Sequence, residues 1–335
     1  MEESKLRMQW IDVARGFAML LVIWGHLDTE HTIFFTWTNA IKLPLFFAIS
    51  GYLINIDSSQ QIKFLTKKAK GLIWPYFALG GLSTLISLLK DVVFNHKIHT
   101  DLLVSFFMGK EFWFIPCLFI CMVYIYGFSK LARGKFSIFL VASLITFFLS
   151  FFVLKENQNV FYRIDLALFV QFFVCVGMFL KQYSEKLVGT KKIILGIGVY
   201  CIVTILLNWL IPGYEFDLNR EIFIYNPFCA IHMIIGILAS LLLFKAVGNH
   251  KNAINSIIAF IGRHTLCYFI FSFQCMHVTL KVINMSSLLV GLGENTLYVY
   301  LITFILMLVE LGLISIAVDK AFPFLLGKPK VNKTY

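Results

Sequence analysis

Apolar runs of close to twenty residues follow one another along the sequence, and they constrain the fold more than any other feature. Ten such runs lie at about 11–27, 41–56, 71–92, 112–129, 136–154, 162–180, 192–211, 222–244, 257–280 and 296–318. A helix of about 20 apolar residues spans the bilayer core. The chain is 59% hydrophobic and 14% charged, more apolar than a water-soluble protein of this length can bury. The sequence therefore predicts an all-α integral membrane protein with ten transmembrane helices.

Basic residues predict the orientation of the chain in the membrane. With a cytoplasmic N-terminus, most of the 29 lysines and arginines fall in cytoplasmic segments, as the positive-inside rule requires. We therefore expect both termini in the cytoplasm and a single membrane domain over 1–335, with a core at about 7–320 and no separate soluble domain. Contact with the lipid bilayer explains most of these lysines, and no nucleic acid is expected as a partner. The seven cysteines lack CxxC spacing and predict neither disulfides nor a metal site.

The first apolar run carries an arginine and a histidine. Arg15 and His26 are eleven residues apart, which on a helix brings them back to nearly the same face, about 16 Å apart along the axis. An arginine at the bilayer centre costs at least ~2.5–3.5 kcal/mol on insertion scales, which favours a functional role. Alternatively, Arg15 extends to the cytoplasmic surface and His26 caps the far end of the helix.

Two further stretches combine small or basic residues with an apolar helix. Ser50 and Gly51 lie inside the second run, where a backbone or a ligand can approach closely, although plain helix packing explains them equally well. Lys67, Lys68 and Lys70 precede the third run. They suit the phosphates of a cofactor or, alternatively, lipid headgroups.

These motifs together resemble acyltransferase family 3, a family of integral membrane O-acyltransferases. The resemblance rests on Arg-x10-His in the first run, Pro-Leu-Phe-Phe-x-Ile-Ser-Gly-Tyr at 44–52, the basic cluster followed by Pro75-Tyr76, and Glu-Phe-Trp-Phe-Ile at 111–115. Within the family, Ile-Asp-x-Ala-x-Gly at 11–16 and Leu-Pro-Leu-Phe-Phe at 43–47 are most similar to the fucose 4-O-acetylase-like branch. The resemblance covers about residues 7–320.

The resemblance implies an acyl-CoA-dependent O-acetyltransferase of the cell envelope, located as a multi-pass protein in a bacterial cytoplasmic membrane. Such a protein moves an acyl group from acyl-CoA, in this branch an acetyl group from acetyl-CoA, to a sugar hydroxyl. The acceptor would be a surface polysaccharide or its lipid-linked precursor. Acyl-CoA would be a co-substrate, and no tightly bound cofactor is expected.

The residue types suit this chemistry. His26 can act as the general base for a sugar hydroxyl, and Arg15 can bind a phosphate or carbonyl of acyl-CoA while Asp12, one turn before it, orients its side chain. Ser50 is expected to contact substrate or an oxyanion, with Gly51 beside it. Lys67, Lys68 and Lys70 are expected to bind the CoA phosphates. No Gly-x-Ser-x-Gly nucleophile motif is present, so direct transfer is expected.

Three more residues are candidates for a supporting role. Glu111 and Trp113 would lie at the outer mouth, where an indole can stack on a sugar, although a place in the interfacial aromatic belt also explains Trp113. Asp165 matches an acidic position of the same branch; alternatively, it pairs with Arg163 or with a charge on another helix. Intramembrane polar residues without an assigned role are Asn226, His277 and Glu310.

A late segment departs from the family pattern. Gly-Arg-His-Thr-Leu at 262–266 resembles the family's Gly-x-x-Ser-Leu, with Thr265 in the serine position. The histidine expected six residues later is Phe271 here, and His277 cannot be equated with it. We therefore expect no second catalytic histidine.

A transporter or flippase for an anionic or glycolipid substrate is the alternative function. In that case Arg15, His26, Asp165 and Glu310 would carry protons or the substrate. A structural membrane protein would leave the intramembrane charges unexplained.

Overall fold

The computed structural model describes residues 8–27, 32–54, 61–96, 100–133, 135–156, 160–187, 189–218, 228–285 and 296–328, and these form helices joined by turns. The α-helices in chain order are α1 (Gln9–Leu27), α2 (Ile33–Asn39), α3 (Pro44–Tyr52), α4 (Gln61–Pro75), α5 (Gly81–Lys90), α6 (Thr100–Phe107), α7 (Phe114–Ala132), α8 (Phe136–Glu156), α9 (Ile164–Leu187), α10 (Thr190–Leu210), α11 (Phe228–Val247), α12 (Ala253–Arg263), α13 (Thr265–Met285) and α14 (Thr296–Ala321). The described residues contain no β-strand.

Ten helical segments of the described chain are long and apolar enough to cross a membrane, which confirms the predicted number. They are Gln9–Leu27, Ile33–Tyr52, Lys63–Val93, Phe114–Ala132, Phe136–Lys155, Phe161–Tyr183, Thr190–Leu210, Phe228–Val247, Thr265–Ile283 and Tyr298–Ala321. Each overlaps one predicted run. Residues 222–227, the predicted start of the eighth run, and Asn226 with them, lie outside the described residues. The cytoplasmic location of both termini stays a prediction.

The second span begins earlier than expected and is broken. It consists of α2 and α3, joined by a turn at 40–43. The predicted run begins at 41 and leaves out α2, which contains Thr36, Thr38 and Asn39. The threonine hydroxyl groups are satisfied within the helix: Thr36 donates to the Ile33 carbonyl and Thr38 to the Phe35 carbonyl, each at 3.0 Å. Satisfied hydroxyls lower the cost of placing these threonines in an apolar span.

The ninth span also begins at a different place. The predicted run 257–280 contains a helix break at His264, which ends α12 and precedes α13. The Nδ1 of His264 lies 2.8 Å from the Phe260 carbonyl oxygen. At about 16 Å, the eleven-residue α12 is too short to cross a bilayer. The spanning helix is therefore α13 alone.

The third span carries its basic cluster inside the helix. α4 begins at Gln61, about ten residues before the predicted start at 71, and continues through a π-helical turn at Tyr76–Gly80 into α5. The π turn directly follows Pro75, which lacks the N–H that a regular ladder would use. Lys67, Lys68 and Lys70 consequently lie on a helix rather than in a preceding loop.

The described residues belong to two compact units. The first takes residues 8–54 and 173–265, and the second takes residues 55–172 and 266–328. The prediction of one acyltransferase domain over 1–335 stays a prediction.

The core of the first unit is built around α1. This helix packs against α12, α11 and α3. A Cβ at Gly16 would overlap the Ile258 backbone, and one at Gly262 would overlap the Asp12 carbonyl. Glycine at both positions therefore lets the α1 and α12 backbones touch. The contact fixes the rotation of the helix that carries Arg15 and His26.

The second unit has an aromatic core near the entry to α7. Tyr76 stacks on Phe106 with ring centroids 5.0 Å apart, and its hydroxyl donates to the Phe106 carbonyl. Elsewhere in this unit, Gln274 of α13 donates to the Ser83 hydroxyl of α5. Hydrogen bonds of this kind hold helices together where no water is present to satisfy polar groups.

Candidate active site

The first helix, α1, carries the predicted catalytic residues Arg15 and His26. Arg15 and His26 are both partly exposed, and Asp12 is buried at 4% exposure. The helix is uninterrupted from Arg15 to His26, eleven positions later, so both keep the shared face and the spacing of about 16 Å. The roles assigned to these three residues stay predictions.

His26 lies in the last turn of α1, and two charged side chains act on it. Its Nε2 is enclosed by protein atoms. Two charged residues lie near enough to influence the imidazole electrostatically: Lys42, from the turn between α2 and α3, and Asp217, from the segment after α10. The Nζ of Lys42 lies 2.8 Å from the position a Cβ would take on Gly25, the residue before His26. A cation and an anion therefore accompany the candidate base.

The segment that carries Asp217 is tied to α2. Asn39 donates from Nδ2 to the Phe216 carbonyl at 2.8 Å. Tyr214, in the same segment, has its hydroxyl 3.1 Å from Nδ1 of His232. Burial raises the pKa of Tyr214, so its hydroxyl keeps its proton.

The tautomer of His232 follows from these contacts. Thr204 donates its hydroxyl proton to the Tyr200 carbonyl at 2.9 Å, so it accepts from Nε2–H of His232 at 2.8 Å. Nδ1 of His232 is then the acceptor, and Tyr214 donates to it. Both ring nitrogens of this buried histidine are satisfied, which marks it as structural and anchors the segment bearing Asp217.

Ser50 and Gly51 lie in α3, in tight contact with α9. A Cβ at Gly51 would overlap the Val174 carbonyl oxygen, and a Cβ at Gly177 would overlap that of Ala48. This reciprocal contact is helix packing, the alternative considered for Gly51. Ser50 is buried at 6% exposure. Contact of either residue with substrate stays a prediction.

The basic cluster borders a cleft in the second unit. Lys67 and Lys70 are exposed, and the Nζ of Lys68 lies 5.5 Å from the centroid of the Phe64 ring. The cleft has a volume of about 420 Å³ and is lined by Lys70, Trp74, Gly327 and Lys328. Its wall is fixed by a hydrogen bond of 2.7 Å from Trp74 Nε1 to the Phe324 carbonyl. An indole and two lysines are thus presented together.

Trp113 and Asp165 meet through an arginine. The guanidinium carbon of Arg163 lies 5.3 Å from the centroid of the Trp113 ring, and Nε lies 3.7 Å from Oδ1 of Asp165. The pairing of Asp165 with Arg163, one of the alternatives considered, is therefore confirmed. Trp113 is 6% exposed, which leaves its ring little surface for a sugar. Glu111, two residues before Trp113 in the sequence, is exposed.

The backbone around Arg163 shows how firmly this pair is held. Tyr162 and Arg163 both have positive φ, at 52° and 54°. The left-handed conformation costs non-glycine residues roughly 1–2 kcal/mol each. The ion pair and the indole contact offset that cost.

Two of the other intramembrane polar residues have partners in the second unit. Thr279 donates to Oε2 of Glu310 at 3.1 Å, and Nδ1 of His277 lies 2.7 Å from the Phe273 carbonyl. Among the described residues, no group of three His, Cys, Asp or Glu side chains could hold a metal ion.

Sequence reasoning missed Lys42, Asp217 and the importance of Arg163. Lys42 was given no role in the site, although its position two residues before the Pro44 helix start could have suggested a turn directed at a neighbour. Asp217 lies in a connecting segment, and nothing in its local sequence indicates proximity to His26, about 190 residues earlier. Only the folded first unit brings the two segments near each other.

Comparison with known proteins identifies the family of the chain. A family model described as an acyltransferase domain, that of acyltransferase family 3, matches residues 8–317. No curated protein and no solved structure matches the chain. The family match runs from the start of α1 into α14 and so includes every site residue predicted from the sequence. The chain belongs to acyltransferase family 3 and is a multi-pass membrane acyltransferase.

Proposed function

We propose that this acyltransferase moves an acetyl group from acetyl-CoA to a sugar hydroxyl, on a surface polysaccharide or its lipid-linked precursor in a bacterial cytoplasmic membrane. The observation that carries the proposal is His26 at the end of α1, accompanied by Lys42 and Asp217 in a chain of the acyltransferase family. The motifs at 11–16 and 43–47 favour the fucose 4-O-acetylase-like branch and hence a sugar acceptor.

His26 is the general base of the proposed reaction. Its imidazole takes the proton of the acceptor hydroxyl while the oxygen attacks the thioester carbonyl. The tetrahedral intermediate then expels the CoA thiolate as the C–S bond breaks, and the proton on His26 passes to that sulfur. The products are the acetyl ester and free CoA, and no acyl-enzyme forms.

Arg15 acts on the donor in this proposal. It shares a face of α1 with His26, about 16 Å away along the axis. The pantetheine arm of CoA is long and unbranched, and it suits a path between a charged group held by Arg15 and a thioester held at His26. A planar guanidinium can bind phosphate through two parallel hydrogen bonds, which a lysine cannot do.

Lys67, Lys68 and Lys70 are proposed to bind the phosphates of acyl-CoA. The cleft beside Lys70 adds Lys328 and the indole of Trp74, on which an adenine ring can stack. Lys328 also pairs with Asp319, so a phosphate would compete with that carboxylate.

The test uses purified protein in liposomes with labelled acetyl-CoA and candidate glycan acceptors. We expect His26→Ala to lower transfer by about 10²–10⁴-fold, the usual cost of losing a general base, with folding and acetyl-CoA binding retained. Arg15→Lys should also reduce transfer, because it keeps the charge and loses the planar fork. His277→Ala is the matched control, since this exposed histidine is expected to have no catalytic role.

Two results would contradict the proposal. Equal transfer by wild type and His26→Ala would remove His26 as the base. Movement of substrate across the membrane without ester formation, abolished by His26→Ala, would instead favour the transporter. Mass spectrometry of surface polysaccharide from wild-type and deletion cells identifies the acyl group and the sugar together.

A further inference from the structure

Lys42 and Asp217 have no role in the chemistry described so far. Lys42 lies beside Gly25, the residue before His26, and Asp217 follows Phe216, whose carbonyl is hydrogen-bonded to Asn39 at the end of α2. They belong to separate parts of the first unit: Lys42 follows α2 and Asp217 follows α10, which places them 16 and 191 residues after His26 in the sequence. An apolar span carries a cation only at a cost of about 2.5 kcal/mol or more. The position of Lys42 therefore needs an explanation beyond membrane orientation.

The break between α2 and α3 directs Lys42 at the end of α1. The turn at 40–43 starts from α2, with the Lys42 N–H donating to the Thr38 carbonyl at 2.8 Å. The ammonium lies 5.4 Å from the centroid of the Phe35 ring and directly against Gly25. Any side chain at Gly25 would meet this nitrogen, because even a Cβ would lie 2.8 Å from it. Glycine at 25 thus leaves the space that the ammonium uses beside His26.

The segment that carries Asp217 is held in place by two hydrogen bonds. The hydrogen bond from Asn39 to the Phe216 carbonyl joins its neighbour to α2, three residues before Lys42. The bond between Tyr214 and His232 joins the same segment to α11. Asn39 is the last residue of α2, directly before the turn that carries Lys42, and it also holds the segment that carries Asp217. The turn and the segment are therefore positioned together.

We propose that Lys42 stabilises the oxyanion of the tetrahedral intermediate and that Asp217 stabilises the imidazolium of His26. The proposal rests on the proposed function. During transfer, negative charge develops on the former thioester carbonyl oxygen and positive charge develops on His26. Lys42 supplies an N–H donor and a positive charge for the first, and Asp217 supplies a negative charge for the second. Fixed charges in a water-poor site act strongly on both.

The arrangement also explains why the two charges occur together. Lys42 alone would oppose protonation of His26, and Asp217 alone would oppose the oxyanion. With both present, each developing charge has a partner of opposite sign, and the neutral ground state gains little. Interactions that strengthen only in the transition state raise kcat rather than lower KM.

The experiment compares kcat and KM of purified variants, with acetyl-CoA and either an accepted glycan or water as the acyl acceptor. We expect Lys42→Met to lower kcat by about 10²–10³-fold, the usual cost of one oxyanion donor, with the KM for acetyl-CoA unchanged. Lys42→Arg should recover part of kcat because it restores the cation. Asp217→Asn should cause a smaller loss of kcat, and Asp217→Glu should recover part of it. Lys90→Met is the matched control, since Lys90 is exposed at the end of α5.

A second measurement tests the geometry without activity. Cysteines introduced by Gly25→Cys and Lys42→Cys should be joined by a thiol reagent about as long as a lysine side chain. Cys201, the exposed native cysteine of the described residues, is first replaced by serine. Failure of this crosslink in folded protein would overturn the placement of Lys42.

The remaining outcomes also decide the question. Full kcat in Lys42→Met, or a loss confined to KM, would overturn the oxyanion role. If wild-type protein neither transfers acetyl groups nor cleaves acetyl-CoA in a His26-dependent way, the proposed function fails, and this role fails with it. A His26-dependent wild type with an unimpaired Lys42→Met variant would overturn the Lys42 proposal alone.

Discussion

Two groups of charged side chains, one in each compact unit, differ in the exposure of their members. In the first unit, His26, Lys42 and Asp217 are all partly exposed. In the second unit, Arg163 and Asp165 are each 1% exposed, and the guanidinium faces the Trp113 ring. The first group retains accessible surface, whereas the second is buried around its ion pair.

This difference refines how intramembrane charges are interpreted. An ionisable residue inside a membrane is assumed to be functional by default, because its insertion is costly. A closed pair such as Arg163 and Asp165 satisfies that cost internally and is explained by structure. The partly exposed His26, which has both a cation and an anion nearby, is not explained in this way. Asp165 and His26 are equally conspicuous in the sequence, and exposure separates them.

The largest expected effect on stability comes from the closed pair. Asp165→Asn removes the negative charge beside a buried guanidinium and should lower the free energy of unfolding by roughly 3–5 kcal/mol. Thermal unfolding in detergent measures the loss. Asp319→Asn is the matched control: its pair with Lys328 is exposed, so the same substitution should cost about 1 kcal/mol or less. If Asp165→Asn is stable but has lost transfer activity, Asp165 has a functional role like that proposed for His26, and exposure does not separate functional from structural charges.

A smaller effect is expected where α3 touches α9. Gly51→Ala inserts a methyl group into the Val174 backbone and should destabilise the protein by about 1–3 kcal/mol, the usual cost of overpacking. Gly127→Ala in α7 has open space for its Cβ and should be neutral or slightly stabilising. Unfolding curves of both variants provide the comparison. If Gly51→Ala keeps its stability and loses acceptor binding, the Ser50–Gly51 stretch belongs to an open site.

The smallest effect is expected from the exposed lysines. Replacing Lys67, Lys68 and Lys70 together by glutamine should raise the KM for acetyl-CoA by about tenfold, since an exposed charged contact is worth roughly 0.2–1 kcal/mol. Initial rates at varied acetyl-CoA measure it. A triple glutamine variant at Lys130, Lys135 and Lys192 controls for lost lipid contacts. Equal KM values in the two triple variants would remove the basic cluster from the donor site.

Much of the fold could be predicted because hydrophobic length alone specifies a membrane span. The ten spans followed from that rule, and so did the shared helix face of Arg15 and His26. The breaks were harder to predict. α2 was overlooked because the internal hydrogen bonds of Thr36 and Thr38 conceal their polarity, and the end of α12 depends on the local conformation of His264.

The site was less predictable than the fold for a different reason. Local patterns identified His26 but not its charged neighbours, because Lys42 and Asp217 approach it through tertiary contacts between distant segments. Asp165 showed the opposite problem. Its partner is two residues away, and a strained turn at Tyr162–Arg163 was needed to bring the two charges together. Sequence periodicity contains no information on either arrangement.

The backbone contact between α1 and α12 has a consequence for the biosynthesis of the protein. Gly16 meets Ile258, so the helix bearing Arg15 is made about 240 residues before the helix that seats it. At ordinary translation rates this interval is roughly 10–50 s. During that time α1 must wait in the membrane with a polar face that its final neighbour does not yet cover. We expect a membrane chaperone or insertase to hold nascent chains at this stage, and chains that stop before α12 to be substrates for proteolysis.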